Sequence, residues 1–330
     1  MKPSSLAATQ IKRYKQLLET VSSDDVIGIM INADPDAMAS ALALQRLFWR
    51  KVRKTMVCRV NAIKRSDNLA MVKLLGLKIP YVNRVNTSQV TKWAIVDGQP
   101  HHHPRFANVR FSIIIDHHPP ANNLEAPYID IRENFGAASS MLTEYLRAAA
   151  IRPSARLATA LFYGIKTDTD NFARSSSAND IKAFKYLYPF VNLNTIKKIE
   201  SSEINKTNLA AFQTAIQHLE FFGNTVYIHM GTVTDADSLV IIADFFLKMA
   251  EASWCFVSGI YGHKVIIIVR NAGFRLHAGQ LAQRLFGDLG SAGGHKNAAR
   301  VEIPLDAAMK QLAPPGSKVE DYIRDKIRKK

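Results

Sequence analysis

Val26–Ile31 and Phe111–Ile115 are apolar at nearly every position, and stretches of helical period lie between and beyond them. A strand with one solvated face alternates apolar and polar residues, whereas a strand covered on both faces reads as a nearly continuous apolar run. Strands are expected at Val26–Ile31, Met56–Val60, Lys92–Val96 and Phe111–Ile115, with helices at Ala37–Arg50, Asn68–Leu75, Ala137–Ala149 and Ala155–Ile165. That alternation predicts an α/β fold whose N-terminal part is a doubly wound, mostly parallel sheet.

A chain of 330 residues has room for two domains. We expect a first domain over residues 1–190, a linker at 191–206 where apolar periodicity is weak, and a smaller C-terminal α/β domain over 207–330, with the active cleft between them. The second domain should open with a helix at Leu209–Phe222. Strands at Thr225–Met230, Trp254–Ser258, Lys264–Val269 and Ala299–Ile303 follow, with a helix at Ala278–Phe286. No apolar run reaches the roughly 18 residues of a membrane span, and the first residues lack a signal peptide's apolar stretch, so a cytoplasmic protein without a membrane partner is expected. Two cysteines, Cys58 and Cys255, fit a reducing compartment and exclude a zinc site built on Cys pairs. The net charge of +15 points to phosphate-bearing partners.

Four acidic clusters fall just after expected strands or helices: Asp34-Pro35-Asp36, Asp97-Gly98, Asp116-His117-His118 and Asp168-Thr169-Asp170. Taken singly, the first reads as a capped helix start, with Asp34 as N-cap and Pro35 as first residue, and the second as a turn. Delivered together at the carboxyl ends of parallel strands, they can converge where open α/β sheets bind ligands. Carboxylates packed so closely repel unless cations compensate. Asp and His without Cys suit Mn²⁺ or Mg²⁺, and two such ions are suited to phosphoester hydrolysis.

These motifs, in this order, resemble those of the DHH phosphoesterase superfamily, and Gly293-Gly294-His295-Lys296-Asn297-Ala298-Ala299 resembles the GGHxxAA signature of the DHH-associated C-terminal domain. The resemblance spans residues 25 to 303 and is greatest to the small nanoRNase and pAp phosphatase-type enzymes. It implies two ions, one on Asp34 and Asp97 and the other on Asp36, Asp97, His117 and Asp168. His118 would face the substrate phosphate, and Asp116 would orient the histidines. Arg270, Gly293, Gly294 and His295 would receive the far end of the substrate. The implied activity is Mn²⁺-dependent hydrolysis of short oligonucleotides or pAp-like nucleotides to mononucleotides. Other members act on cyclic or linear dinucleotides or on pyrophosphate, and a degenerate member would bind nucleotides or RNA without cutting. Monomer and homodimer both stay open.

Met30 stands four residues before Asp34, where the small enzymes carry a histidine, so one ion would lack an imidazole; Met30 itself reads as core. His101, His102 and His103 form a Pro-flanked loop and are not expected to share a metal. Eight cations between Arg46 and Arg65, with a single acidic residue nowhere among them, read as a solvated face more often than as a nucleic-acid track. Trp49, Trp93 and Trp254 are expected in core packing.

Overall fold

The computed structural model describes residues 5–173, 176–202, 206–272, 276–310 and 318–330. The chain divides into two compact units, Met1–Glu203 and Ile204–Lys330.

In the first unit the elements run α1 (Ser5–Glu19), β1 (Val26–Ile31), α2 (Pro35–Phe48), β2 (Lys54–Arg59), α3 (Ser66–Leu74), β3 (Lys92–Val96), α4 (Pro104–Ala107), β4 (Phe111–Asp116), β5 (Tyr128–Ile131), α5 (Ala138–Ala148), α6 (Ala155–Asp168), α7 (Ala178–Leu187) and α8 (Leu193–Glu200). The five strands form one sheet in the order β2-β1-β3-β4-β5, parallel throughout. Every residue of β1 is buried, which is why that strand shows no alternation. The chain leaves β1 for β2 on one side and returns to β3 on the other, so the topological switch lies between β1 and β3.

One face of the sheet carries the larger core, where Ile27, Ile29 and Ile31 meet Met38, Leu44 and Phe48 of α2 and the apolar sides of α5 and α6. The other face carries a smaller cluster of Met30, Cys58, Val60, Ile95, Phe106, Phe111 and Ile114. Met30 is therefore a packed core side chain.

The second unit contains α9 (Lys206–Gln217), β6 (Leu219–Phe222), β7 (Thr225–Thr232), α10 (Asp237–Phe246), β8 (Trp254–Tyr261), β9 (Lys264–Asn271), α11 (Ala278–Phe286), β10 (Ser291–Gly294), β11 (Ala298–Pro304), α12 (Leu305–Met309) and α13 (Val319–Arg328). Its sheet has the order β10-β11-β9-β8-β7-β6, with only β7 and β8 parallel. No described helix is long and apolar enough to cross a membrane.

Three expectations need correction. The stretch expected as a linker contains α8, capped by Asn192 and docked through buried Ile196 and Ile199; residues 203–205 lie outside the described residues. The helix expected to continue to Phe222 ends at Gln217, because Leu219–Phe222 turns at Gly223-Asn224 and pairs antiparallel with β7. Gly223 takes φ +58, which the tight hairpin requires and glycine permits. Trp49 is 56% exposed rather than core, because it stands just past the end of α2, after the buried Leu47 and Phe48. Helix α1, strand β5 and helix α7 had no expected counterpart.

Candidate metal centre

At the tip of β1, Asp34 is the N-cap of α2. Its Oδ1 accepts from the Ala37 amide at 2.9 Å, and Pro35 occupies the first helical turn. Asn61 braces this tip from beyond β2, accepting from the Ala33 amide at 2.6 Å and donating to the Ala33 carbonyl at 3.0 Å. Asp36 points into the helical layer and is almost fully buried. Its Oδ2 accepts from the Ala138 amide at 2.6 Å and its Oδ1 from the Ser139 amide at 2.7 Å, so the first turn of α5 holds the carboxylate. Gly164 of α6 makes this approach feasible, because a Cβ there would fall 2.6 Å from Ser139 Oγ and 3.1 Å from Asp36 Cα.

Asp97 follows β3 directly, with φ +56 and its amide donating to the Ile115 carbonyl at 2.9 Å. At the end of β4, Asp116 is wholly buried. Its Oδ1 accepts from the His117 amide and from His118 Nδ1, both at 2.9 Å, and its Oδ2 accepts from Gln99 Nε2 at 2.7 Å. Burial alone would raise this carboxyl, but the His118 and Gln99 hydrogen bonds outweigh it and hold it below its ordinary range. His118 keeps 45% of its side chain exposed. Asp168, the last residue of α6, completes the group.

His117 joins these parts. Its Nδ1 lies 3.2 Å from the Phe135 carbonyl, which can only accept, so Nδ1 carries a proton. Its Nε2 lies 3.0 Å from Asp168 Oδ2 and 3.3 Å from Asp97 Oδ1. Even so, neither His117 Nε2 nor Asp97 Oδ1 has a hydrogen-bond partner among the described residues, although both are buried. Burial followed by neighbouring carboxylates pushes Asp36 up to about 7 and Asp97 well above its ordinary value. Burial also dominates at Asp34, raised to about 6. Burial opposes a charge on His117, yet Asp168 and Asp97 overcome it and push the ring up to about 12. Asp34, Asp36 and Asp97 thus call for positive charge between them.

Ligand atoms of Asp36, His117 and Asp168, and separately of Asp97, Asp116, His117 and His118, come within 4.8 Å of one another. An orphaned imidazole nitrogen facing carboxylate oxygens fits a divalent cation, and an all O/N donor set fits Mn²⁺ or Mg²⁺. The two thiols are buried in apolar clusters elsewhere.

All seven expected residues of the first unit gather at this sheet end. The other four belong to the second unit. There Arg270 pairs in register with Ala298, and Gly294 with Ala299, so Arg270, Gly293, Gly294 and His295 share one end of its sheet. Arg270 is committed to Asp244 of α10, its Nε donating to Oδ1 at 2.6 Å. The amides of Ala278 and Gly279 at the start of α11 donate to the carbonyls of Lys296 and His295. His295 itself is exposed.

Gln99 was not singled out in the sequence. It is fully buried, and besides Asp116 it donates to the Pro119 carbonyl at 3.0 Å while its Oε1 accepts from the Ala121 amide at 2.8 Å. A residue two positions after Asp97 that ties down the segment after His118 leaves only the weak signal of an amide following Asp-Gly.

A parallel α/β sheet with a carboxylate and histidine cluster at its switch point defines the first unit as a domain suited to divalent metal. Residues 26–165 match the family model described as DHH family, N-terminal domain. An uncharacterized protein of Methanocaldococcus jannaschii is 36% identical over 300 residues, 90% of this chain; the chain spans 62% of that relative's length. Among solved structures, an exopolyphosphatase-related protein from Bacteroides fragilis superposes with TM-score 0.72 at 17% identity, covering 98% of this chain and 96% of its own. RecJ from Thermus thermophilus in complex with Mn²⁺ gives TM-score 0.52 at 14% identity, over 96% of this chain and 55% of its own. At these identities the likeness is one of fold.

Proposed function

We propose that the protein is a Mn²⁺-dependent phosphoesterase of the cytoplasm that hydrolyses short oligonucleotides or pAp-like nucleotides to mononucleotides. The observation that carries this reading is the pair of orphaned buried atoms, His117 Nε2 and Asp97 Oδ1, facing each other at 3.3 Å within a nest of carboxylates. Divalent cations would be held by Asp34, Asp36, Asp97, His117 and Asp168, where they would supply Lewis acidity and a nucleophile near neutral pH. RecJ was solved with Mn²⁺ and also with Mg²⁺, which supports a divalent ion without choosing between the two.

The chain's own residues do the rest. The Phe135 carbonyl fixes the His117 tautomer, leaving Nε2 directed at the carboxylates. Asp116 holds His118 by Nδ1, which leaves Nε2 of an exposed ring to meet a phosphoryl oxygen and offset its developing charge. Within the second unit, Arg270 and the 293–295 segment would offer a place for an anionic group, with Arg270 loosened from Asp244 when the anion arrives.

The test is mononucleotide or phosphate release from pAp, pApA, a cyclic dinucleotide and pyrophosphate in Mn²⁺. The reading expects turnover of the first two above the others. Preferential turnover of the cyclic dinucleotide or of pyrophosphate moves the assignment within the superfamily, and no turnover of any leaves a nucleotide-binding protein.

A further inference from the structure

Within the first unit, the end of the helical layer opposite the metal centre carries an unusual surface. The metal-centre groups sit at the start of α2, the start of α5 and the end of α6. The 14-residue helix α2 rises 1.5 Å per residue, so Trp49 at its far end lies roughly 20 Å from Asp34. The exposed Trp49 ring is flanked by two guanidiniums, Arg46 at 4.9 Å and Arg50 at 4.4 Å from its centroid. Nearby, Arg147 lies over Tyr186 at 5.1 Å and Arg152 over Phe190 at 4.8 Å.

Two concavities open between these groups. One, of about 420 Å³, is lined by Arg46, Trp49 and Arg156 among others; the second, of about 510 Å³, by Arg147, Arg152, Tyr186 and Phe190. The segment 150–157 joins them, with Ile151 and Arg152 in the second and Ser154 and Arg156 in the first. No carboxylate lines either, and among the described residues none of these five arginines is paired with one. Arg156 donates to the Gly76 carbonyl at 3.0 Å and the other four lie over rings, so all five keep a net charge that no carboxylate offsets, beside rings that can meet planar groups.

We infer that this surface is a binding site for single-stranded nucleic acid, distinct from the metal centre: the arginines take backbone phosphates and the Trp49 and Phe190–Tyr186 pockets take bases. Guanidinium and aromatic planes both stack on bases, and stacking of this kind tolerates any sequence. An anionic lipid surface would use the charge but has no use for two ring-lined pockets set between arginines. The site does not depend on the phosphoesterase reading, because binding can be measured without turnover.

The experiment is fluorescence anisotropy of a labelled 12-nucleotide oligo(U) with the full chain in EDTA, across a salt series. Trp49→Ala should weaken binding about 10-fold, in line with the loss of one stacked base. Arg46→Glu/Arg152→Glu should weaken it by about 100-fold and make the log–log salt slope shallower by at least the ~0.7 expected per single-strand phosphate contact. Mn²⁺-dependent cleavage of bis(p-nitrophenyl) phosphate, if the enzyme performs it, should be unchanged in both variants. Wild-type affinity in both variants, with unaltered melting temperatures, overturns the proposal. So does equal loss of binding in His118→Ala, which would place the strand at the metal centre. Binding to phosphatidylserine vesicles without binding to oligo(U) overturns it in favour of a membrane surface.

Discussion

Replacing Gln99 by Met keeps the side-chain volume but removes every polar atom. Asp116 Oδ2 then loses its hydrogen bond to Gln99 Nε2 at 2.7 Å, and the wholly buried carboxylate keeps only the two bonds to its Oδ1. A hydrogen bond to a charged group contributes about 1.5–3 kcal/mol, and the bonds to Ala121 and Pro119 add about 1 kcal/mol each. The expected loss is about 3–5 kcal/mol. At about 2–4 °C per kcal/mol for a unit of this size, the melting temperature should fall by about 6–20 °C. Asp116 positions His118 and the backbone of His117, so catalysis should suffer as well. Loss of an outer partner of this type typically costs about 10–100-fold in activity or metal affinity. The assays are thermal melting followed by circular dichroism, Mn²⁺ calorimetry and hydrolysis of the best substrate. A drop in melting temperature with Mn²⁺ affinity and turnover both intact would refute the positioning role and leave Gln99 a structural brace alone.

Gly164→Ala should reverse the usual gain from removing a helix glycine, since the new methyl meets Ser139 Oγ at 2.6 Å and Asp36 Cα at 3.1 Å; about 1–3 kcal/mol of stability should be lost in urea titration, together with Mn²⁺ affinity. Asp97→Asn should abolish nearly all hydrolysis and at least one calorimetric Mn²⁺ site, and wild-type-like turnover at saturating Mn²⁺ would sink the two-ion assignment. Asp25 is expected to shape acid stability: burial opposes its charge, but hydrogen bonds from Lys92, Thr91 and Ser22 prevail and lower it to about 2. With the folded value depressed, its contribution is present above about pH 4 and lost as pH falls towards 2; after allowance for solvent screening it is roughly 1 kcal/mol. Asp25→Asn should flatten that part of the stability–pH curve, and an unchanged slope would count against the Lys92–Asp25 pair.

Residues whose chemistry is announced locally were legible. Asp34 follows an apolar strand and precedes a proline, Asp97 and Asp116 each close a strand, and Asp168 ends a helix; position on an element is enough to project all of them to one sheet end. Trp49 was misread because an indole near a helix end is usually buried, and only the place where α2 stops decides otherwise. The β6 hairpin was misread because Leu219–Phe222 extends the apolar pattern of α9 without a break, and the turn at Gly223-Asn224 lies just beyond it. The pairing of the second unit's Arg270 with Asp244 is not legible, because Asp244 lies 26 positions away on α10.

What could not be read is the scaffolding of the site, and the reason is physical. Asp36 is held by amides 102 and 103 positions later, His117 by the carbonyl of Phe135, and Asp116 by an amide side chain 17 positions earlier. Two of these three anchors use main-chain groups, which every residue possesses and no sequence advertises. They nevertheless determine the chemistry. The carboxylates repel one another, so they stay gathered only because the start of α5 grips Asp36 and Gln99 grips Asp116. The segment from Arg132 to Ser139 carries much of this load, since the Arg132 amide also donates to the Asp116 carbonyl at 3.0 Å and the Gly136 amide to Asp180 Oδ2 at 2.9 Å. A candidate cation site assembled this way owes its geometry to backbone placement in α5 and its preceding loop as much as to the acidic residues that the sequence makes conspicuous.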